Sequence, residues 1–290
     1  MSEQSARVIA LDVGGTSVKS GVVETGGVVV GRPLLTAIDS QAAADAIFDT
    51  FVRIVARCLT DVGGLPFLGV AFGFPSPFDY DTGTCRIRNL GKFDALYGLN
   101  VADALRSRLA IDLPAIVFRN DAEAAIVGEA LYGAGRPFTR LIGITIGTGL
   151  GSAFVVGGRP VEIPEDEWLY RRPFNGVRAD DWFSRRGIEA RLVALGVPPD
   201  VRAAAESARA GDARLRGLFA DIGAELASFL RPFVESFGAE VVLVLGRIAG
   251  AFDLFGPSMV RGLPVPALLG ERPDDAALLG AAELLLNPGR

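Results

Sequence analysis

Histidine is absent from the 290 residues of this chain, and cysteine, methionine and tryptophan occur only twice each. Without histidine, no Ser-His-Asp triad, Cys-His pair or histidine-ligated metal site can form, so any general base must be a carboxylate or a rarer group. The two cysteines, Cys58 and Cys85, form no cluster, which argues against a disulfide framework. Cys58 lies on the apolar side of a helical pattern, and we expect it to pack in the core.

The chain also lacks an excess of positive charge and a long apolar run. Its net charge of -5 argues against nucleic acid or an anionic membrane as a partner. No apolar run reaches the roughly 18 residues that span a bilayer, and residues 1–5 are polar, unlike a signal peptide. We therefore expect a cytoplasmic protein.

What the sequence does contain is a repeated pattern of buried strand, glycine-rich turn and second strand. The first copy is the strand at residues 8–11 followed by the turn at 12–19. The second is the strand at 141–146 followed by the turn at 147–151. Because the pattern recurs and half of the residues are hydrophobic, we expect two related α/β lobes with a cleft between them.

The remaining periodicities place helices and strands around these turns. We expect a smaller N-terminal lobe at 1–120 and a larger lobe at 121–275, with a C-terminal helix at about 276–290 that can pack back on the first lobe. We expect Asn100 to cap the helix that follows it. The predicted helices are 40–61, 100–109, 121–132, 180–195, 201–210, 212–237 and 276–286, and the further strands are 67–74, 115–118, 153–156 and 240–245.

Glycine-rich turns can bring backbone amides close to phosphate oxygens because glycine has no side chain. In the first turn Thr16 adds a hydroxyl, and Asp12 is suited to hold a water-coordinated Mg²⁺. A P-loop is excluded because Val18 precedes Lys19-Ser20, and a Rossmann fingerprint is excluded because both turns lead into strands. A plain hairpin turn is the alternative for either turn alone; two such turns, each after a buried strand, favour phosphate binding.

Three segments together resemble the ROK family of bacterial sugar kinases and related repressors, within the superfamily of sugar kinases, Hsp70 and actin. They are residues 12–19, residues 147–151 and Asn120-Asp121-Ala122-Glu123-Ala124-Ala125, supported by residues 73–77 and by Gly128-Glu129. The resemblance implies a two-lobed actin-like ATPase (ribonuclease H-like) fold, ATP and Mg²⁺ as cofactors, a small sugar or cyclitol as substrate, and a homodimer.

The same resemblance implies a role for each matched residue. Asp121 would take the proton of the substrate hydroxyl as catalytic base, and Asp12 would face Mg²⁺ through water. The expected nucleotide-binding residues are Asp12, Gly14, Gly15, Thr16, Lys19, Gly147, Thr148, Gly149, Gly151 and Gly246. The expected substrate-binding residues are Ser76, Asn120, Glu167, Tyr170 and Asp180, and we add Asn89 because it can line the pocket mouth.

The chain departs from the family at its zinc-binding segment. Glu167-Trp168-Leu169-Tyr170 occupies the place of Glu-x-Gly-His, and Arg178-Ala179-Asp180 replaces a cysteine and a glutamate. Tyr170 would then stand in for the sugar-binding histidine and Asp180 for the glutamate, as in a zinc-free branch with a Glu-x-Leu-Tyr pattern. Such a pocket suits an amino sugar or a C7 cyclitol as well as glucose. Gly246-Arg247 also replaces a Gly-Gly pair.

Several of these residues have simpler alternatives. Asp121 can be an ordinary helix N-cap, which aspartate favours. Lys19 can face solvent instead of a phosphate, Glu167 can solvate a loop, and Asn89 and Lys92 can do the same instead of lining the pocket mouth.

Two other functions compete with a kinase. A sugar-sensing repressor would need a winged helix-turn-helix, and about seven residues precede the first strand, which we expect to be too few. A catalytically inactive sugar- or nucleotide-binding protein is disfavoured by the retention of Asp12, Asp121 and both turns.

Overall fold

The computed structural model describes residues 5–164 and 167–289. The chain divides into two compact units, the first containing the residues up to Gly128 and from Asp274 onward, the second Glu129–Pro273. The first unit contains β1 (Arg7–Val13), β2 (Ser17–Glu24), β3 (Val28–Ala37), α1 (Ala44–Val62), β4 (Phe67–Phe74), β5 (Phe78–Asp79), β6 (Thr84–Cys85), α2 (Val101–Arg108), β7 (Ile116–Asn120) and most of α3 (Asp121–Tyr132), which continues into the second unit.

The first unit is organised around a five-stranded sheet in the order β3-β2-β1-β4-β7. β1, β2 and β3 are antiparallel neighbours, whereas β1, β4 and β7 run parallel. Ile9 and Leu11 of β1 share an apolar cluster with Phe51 and Cys58 of α1, all of them buried. The apolar stripe of α1 therefore covers one face of the sheet, as its periodicity predicts.

The second unit repeats this arrangement. Its elements are β8 (Arg140–Ile146), β9 (Leu150–Val156), β10 (Arg159–Pro160), β11 (Pro173–Phe174), β12 (Val177–Arg178), α4 (Ala179–Phe183), α5 (Arg185–Ala194), α6 (Val201–Arg209), α7 (Ala213–Phe237), β13 (Val241–Leu245), α8 (Phe252–Gly262) and β14 (Ala267–Leu269). The sheet order is β10-β9-β8-β13-β14, again with three antiparallel strands and then parallel pairs. The α/β class and the duplicated strand pattern are confirmed.

The last helix, α9 (Ala276–Leu286), belongs to the first unit and contacts β1 and β4. It approaches α3 closely, because a β-carbon on Gly128 would lie 1.9 Å from the Ala276 carbonyl oxygen, and one on Gly280 would lie 1.9 Å from that of Ala124. The buried Arg119 guanidinium donates to the Gly280 carbonyl at 2.6 Å. These contacts fix the junction of β7 and α3, where Asp121 lies.

The structure departs from the predicted elements at 180–195 and after Gly246, and it adds the two-residue strands β5, β6, β10, β11 and β12. The helix predicted at 180–195 is broken at the buried Ser184 into α4 and α5. The segment after Gly246 contains α8 and β14, which the sequence did not predict because Pro257 lies inside the helix and Pro264 and Pro266 precede the three-residue strand. Asn100 caps α2 as predicted, its side chain accepting from the Asp103 amide at 2.9 Å. Of the helices in the described part of the chain, none combines the length and apolar character that a membrane span requires.

Candidate functional site

The first glycine-rich turn joins β1 to β2 and is held by its own backbone. The Gly14 amide donates to the Ser17 carbonyl at 2.9 Å, and the Thr16 carbonyl accepts from the Ile38 amide at 3.1 Å. A β-carbon on Gly14 would lie only 2.9 Å from the Ser17 carbonyl oxygen, so the turn requires glycine there. Gly14 and Gly15 are half-buried and Thr16 is exposed, which leaves the turn accessible at the carboxyl end of β1.

The fold brings Asp12 and Asp121 to the same edge of the first sheet. Asp12 pairs with Gly73 of the parallel strand β4. Asp121 follows β7, the next strand along, and its Cα lies 3.6 Å from the position that a β-carbon on Gly73 would take. The absence of a side chain at Gly73 therefore leaves room for the two carboxylates to approach each other.

The two carboxylates share a site in which burial outweighs the effect of the nearby positive charges. Burial, followed by the charge of Asp121, raises the pKa of Asp12 to about 6, against the opposing effect of Lys19. Burial also raises the pKa of Asp121, opposed by the charge of Lys92 and by the Ala122 amide, which donates to the carboxylate at 2.8 Å. Such a pair is suited to bind a cation or accept a proton.

Asn120 supports Asp121 and removes its simplest alternative role. The Asn120 side-chain oxygen accepts from the Glu123 amide at 3.1 Å, so Asn120, not Asp121, caps α3. Its amide nitrogen donates to the Ser76 hydroxyl at 2.9 Å and the Tyr80 hydroxyl at 3.1 Å. These contacts bring together two predicted residues, Asn120 and Ser76, with one that the sequence did not single out.

Tyr80 is that additional residue, and its hydroxyl donates to the Phe74 carbonyl at 3.1 Å. Burial raises the pKa of this phenol, which therefore remains a neutral donor and acceptor. In the sequence Tyr80 is one aromatic residue near another, Phe78, and no local signal separates the hydrogen-bonding ring from the packing ring.

The loop before the short 3₁₀ helix Asp94–Leu96 contributes a cation. Lys92 is half-buried, and its Cδ lies 4.0 Å from the position that a β-carbon on Gly15 would take. Asn89, in the same loop, is exposed and has a left-handed backbone with φ of 59°. Lys19 is half-buried opposite Asp12 in the β1–β2 pair rather than fully exposed to solvent.

The second glycine-rich turn, in the second unit, is built with more side-chain support than the first. The Gly147 amide donates to the Gly149 carbonyl at 3.0 Å, and the Gly147 carbonyl accepts from the Arg185 amide at 2.9 Å. The amide of Leu150 donates to Asp180 Oδ1 at 2.8 Å. Thr148 and Gly149 are exposed and Gly151 is half-buried, so the turn is accessible although its ends are fixed.

Gly246 lies beside this second turn. It follows β13 with φ of 91°, and a β-carbon there would lie 2.5 Å from the carbonyl oxygen of Ile146, the residue before Gly147. Both the backbone conformation and the close approach require glycine. The Arg247 that replaces the family's second glycine is exposed.

The predicted substrate-binding residues of the second unit occupy different surroundings. The second oxygen of Asp180 accepts from Arg186 at 2.8 Å, so both carboxylate oxygens have partners. The Tyr170 hydroxyl accepts from Arg171 at 2.9 Å. Glu167 is exposed and lines a cavity of about 440 Å³, which Phe154 of β9 also lines. Phe154 is four residues, or roughly 13 Å, along β9 from Leu150, whose amide donates to Asp180.

Within residues 5–164 and 167–289, no three histidine, cysteine, aspartate or glutamate side chains lie close enough together to hold a metal ion. The carboxylates of Asp12 and Asp121 nevertheless suit a hydrated Mg²⁺, because a divalent cation relieves the repulsion between two ionised groups and can keep most of its water ligands.

Comparison with known proteins identifies the family and the fold of this chain. Residues 8–162 match the ROK family. The glucokinase of Thermotoga maritima is 24% identical over an alignment of 320 positions. The alignment covers 96% of this chain and 97% of that protein. The crystal structure of a ROK hexokinase from Thermus thermophilus matches with a TM-score of 0.78 and 21% identity over 95% of this chain and 96% of its own.

A ROK family glucokinase from Streptomyces griseus, crystallised with glucose and AMPPNP, matches with a TM-score of 0.74 and 22% identity over 96% of this chain and 99% of its own. These structural likenesses confirm the predicted actin-like ATPase fold. The family match runs from β1 through both glycine-rich turns and past β9, and it spans more than half of the sequence. This chain belongs to the ROK family.

Proposed function

We propose that this protein is an ATP-dependent kinase that phosphorylates a primary hydroxyl of a hexose-like sugar, with Asp121 as general base. The observation that carries the proposal is the pair of half-buried carboxylates, Asp12 and Asp121, at neighbouring strand ends beside a glycine-rich turn. Glucose, an amino sugar and a C7 cyclitol are the candidate acceptors. The glucokinase and hexokinase relatives support this reaction class.

In this mechanism Asp121 removes the proton of the sugar hydroxyl while the hydroxyl oxygen forms a bond to the γ-phosphorus. The bond between that phosphorus and the bridging oxygen breaks, and ADP leaves with the electron pair. A raised pKa brings Asp121 closer to the working pH, where a general base is most effective. The Ala122 amide holds the carboxylate in place.

The nucleotide would be held mainly by backbone groups. We assign phosphate contacts to the first turn through Gly14, Gly15 and Thr16, with Lys19 near Asp12. When bound, Mg²⁺ would neutralise phosphate charge, and Asp12 is the residue that would hold it through water. In the second unit we assign phosphate binding to Gly147, Thr148, Gly149 and Gly151, and a position near the adenosine to Gly246.

For the sugar, the geometry gives most support to Asn120. Its amide is oriented by Ser76 and Tyr80, so an acceptor hydroxyl would meet a fixed group rather than a free rotor. Glu167, Tyr170 and Asp180 remain predictions from the family resemblance, as do a zinc-free pocket and a homodimer. Asn89 remains a prediction from its place at the pocket mouth, and the cytoplasmic location remains one from the charge and the polar start of the sequence.

The test is a coupled ADP-release assay with ATP and Mg²⁺ over a panel of hexoses, amino sugars and cyclitols, with the phosphorylated carbon of any product mapped by NMR. We expect ADP release that depends on one class of sugar and a phosphate on its primary hydroxyl. Sugar binding by calorimetry with no product from any acceptor would instead support an inactive sugar-binding or sugar-sensing protein.

A further inference from the structure

Lysine is almost absent from this chain, and the places where it occurs are informative. Of the 29 basic side chains, only Lys19 and Lys92 are lysines, and the others are arginines. Both lie in the first unit, and each acts on one of the two carboxylates, Lys19 on Asp12 and Lys92 on Asp121. A compact ammonium with three rotatable donors differs from the planar guanidinium used everywhere else in the chain.

The backbone around Lys92 is held in place from both sides. The Asp94 carboxylate accepts from the Leu90 amide at 3.1 Å and the Gly91 amide at 2.8 Å. The next residue, Phe93, is fully buried, and its amide donates to the Ser40 carbonyl at 2.6 Å. The lysine therefore extends from a fixed point rather than from a free loop.

The side chain of Lys92 lies beside the first glycine-rich turn, and its charge acts on Asp121. Its Cδ lies 4.0 Å from the position that a β-carbon on Gly15 would take, and the residue is half-buried. Its ammonium makes no hydrogen bond or ion pair with any residue that the structure describes. A half-buried ammonium without a bonded partner can bind an incoming anion without first breaking a contact of its own.

This inference rests on the proposed kinase function. We propose that Lys92 is a further catalytic residue, whose ammonium binds the γ-phosphoryl group of ATP between the first turn and Asp121 during transfer. Lys92 gives up no proton in the reaction. The hydroxyl proton goes to Asp121, the new oxygen–phosphorus bond forms, and the bond to ADP breaks. The ammonium stabilises the negative charge on the phosphoryl oxygens.

The kinetic test compares Lys92→Met with Lys92→Arg and with a control, Arg88→Met. Arg88 is an exposed cation of the same loop that packs over Tyr97, so its variant loses the same charge away from the turn. We expect Lys92→Met to lower kcat by about 10²- to 10³-fold, with partial recovery in Lys92→Arg and little change in Arg88→Met. Turnover in Lys92→Met within a few-fold of wild type would overturn the proposal.

A spectroscopic test on the wild-type protein does not depend on turnover. Reductive methylation with ¹³C-formaldehyde labels only two lysine side chains besides the amino terminus, and Lys92→Arg assigns the signals. We expect AMPPNP with Mg²⁺ to shift the Lys92 signal more than ADP with Mg²⁺ does. An unmoved Lys92 signal in protein saturated with AMPPNP would contradict phosphoryl binding.

The two tests separate the possible failures. If the wild type phosphorylates a sugar and Lys92→Met does so equally well, the role of Lys92 is wrong and the kinase proposal stands. If no sugar is phosphorylated, the kinase proposal fails, and the AMPPNP titration still decides whether Lys92 binds the terminal phosphate. The titration also decides the matter if Lys92→Met does not fold.

Discussion

The two units share one sheet pattern but use their carboxylates differently. In the first unit, Asp12 and Asp121 lie close together, and burial raises the pKa of both. In the second unit, Asp180 has one oxygen on the Leu150 amide and the other on Arg186. A carboxylate with satisfied oxygens supports structure, whereas one that is short of partners is available for chemistry. The first unit is therefore where we expect the reactive groups and the second where we expect a preformed turn.

The largest expected effect is on kcat, and it separates a variant of the first unit's carboxylate from one of the second unit's. We expect Asp121→Asn to lower kcat by roughly 10²- to 10⁴-fold, because the amide cannot accept the proton, while ATP binding is nearly unchanged. Asp180→Asn should lower kcat far less. Steady-state kinetics and calorimetry with ATP measure both, and the exposed Asp49→Asn in α1 is the control. Equal losses in the Asp121 and Asp180 variants would erase the distinction between the units.

The preformed turn of the second unit is tested by Gly246→Ala. A β-carbon there would approach the Ile146 carbonyl to 2.5 Å at a positive φ, so we expect a loss of about 2–4 kcal/mol in the free energy of unfolding and weaker ATP binding. Urea denaturation and calorimetry measure these quantities. Gly250→Ala is the control, since a β-carbon there meets no atom within 4 Å. A fully stable Gly246→Ala variant would show that the turn is not preformed.

The shortage of partners at Asp12 predicts an unusual pH dependence of stability. Its pKa rises from an ordinary 3.8 to about 6 on folding, so the folded state binds the proton more tightly. Proton binding by Asp12 therefore adds to the free energy of unfolding at low pH, and this stabilisation is lost as the pH rises from about 4 to 6. The Asp12→Asn variant has no carboxylate to ionise, so its free energy of unfolding should exceed that of wild type by about 1–3 kcal/mol at pH 7.5 in the absence of nucleotide.

The measurement is urea denaturation of wild type and Asp12→Asn at pH 4.5 and 7.5 without Mg²⁺. The difference in free energy of unfolding between the two proteins should grow with pH. If that difference is the same at both values, Asp12 is adequately solvated or paired in the folded protein, and the contrast with Asp180 weakens.

The smallest effect is expected on the stability of the second turn itself. Asp180→Asn replaces a charged acceptor that serves the Leu150 amide and Arg186, so we expect a loss of about 1–2 kcal/mol in the free energy of unfolding. Asp181→Asn is the matched control, because its contacts are with Arg178 and Arg186 at the surface. Indistinguishable stabilities of these two variants would contradict a role for Asp180 in holding the turn.

The sequence predicts the parts of the fold whose signals are local. The two strand–glycine turn–strand copies, the start of α3 at Asp121 and the final helix follow from periodicity and turn chemistry within a few residues. α8 and β14 were missed because proline interrupts one helical pattern and a three-residue strand has too short a pattern to recognise.

The site was predictable to the extent that each residue belongs to a motif. Asp12, Asn120 and Asp121 are recognisable in this way. The contact of Asp180 with Leu150 joins residues 30 positions apart, and that of Tyr80 with Asn120 joins residues 40 apart. No local pattern encodes such contacts, because they depend on how the strands and loops are brought together in the folded chain.

The most direct test of the account is a crystal structure of the protein with AMPPNP, Mg²⁺ and the sugar that the activity panel identifies. We predict that an oxygen of the Asp121 carboxylate lies about 2.6–3.2 Å from the hydroxyl that becomes phosphorylated. A bound sugar whose phosphorylated hydroxyl is beyond hydrogen-bond reach of Asp121, in a complex that turns over in the crystal with ATP, would contradict the assignment of the base.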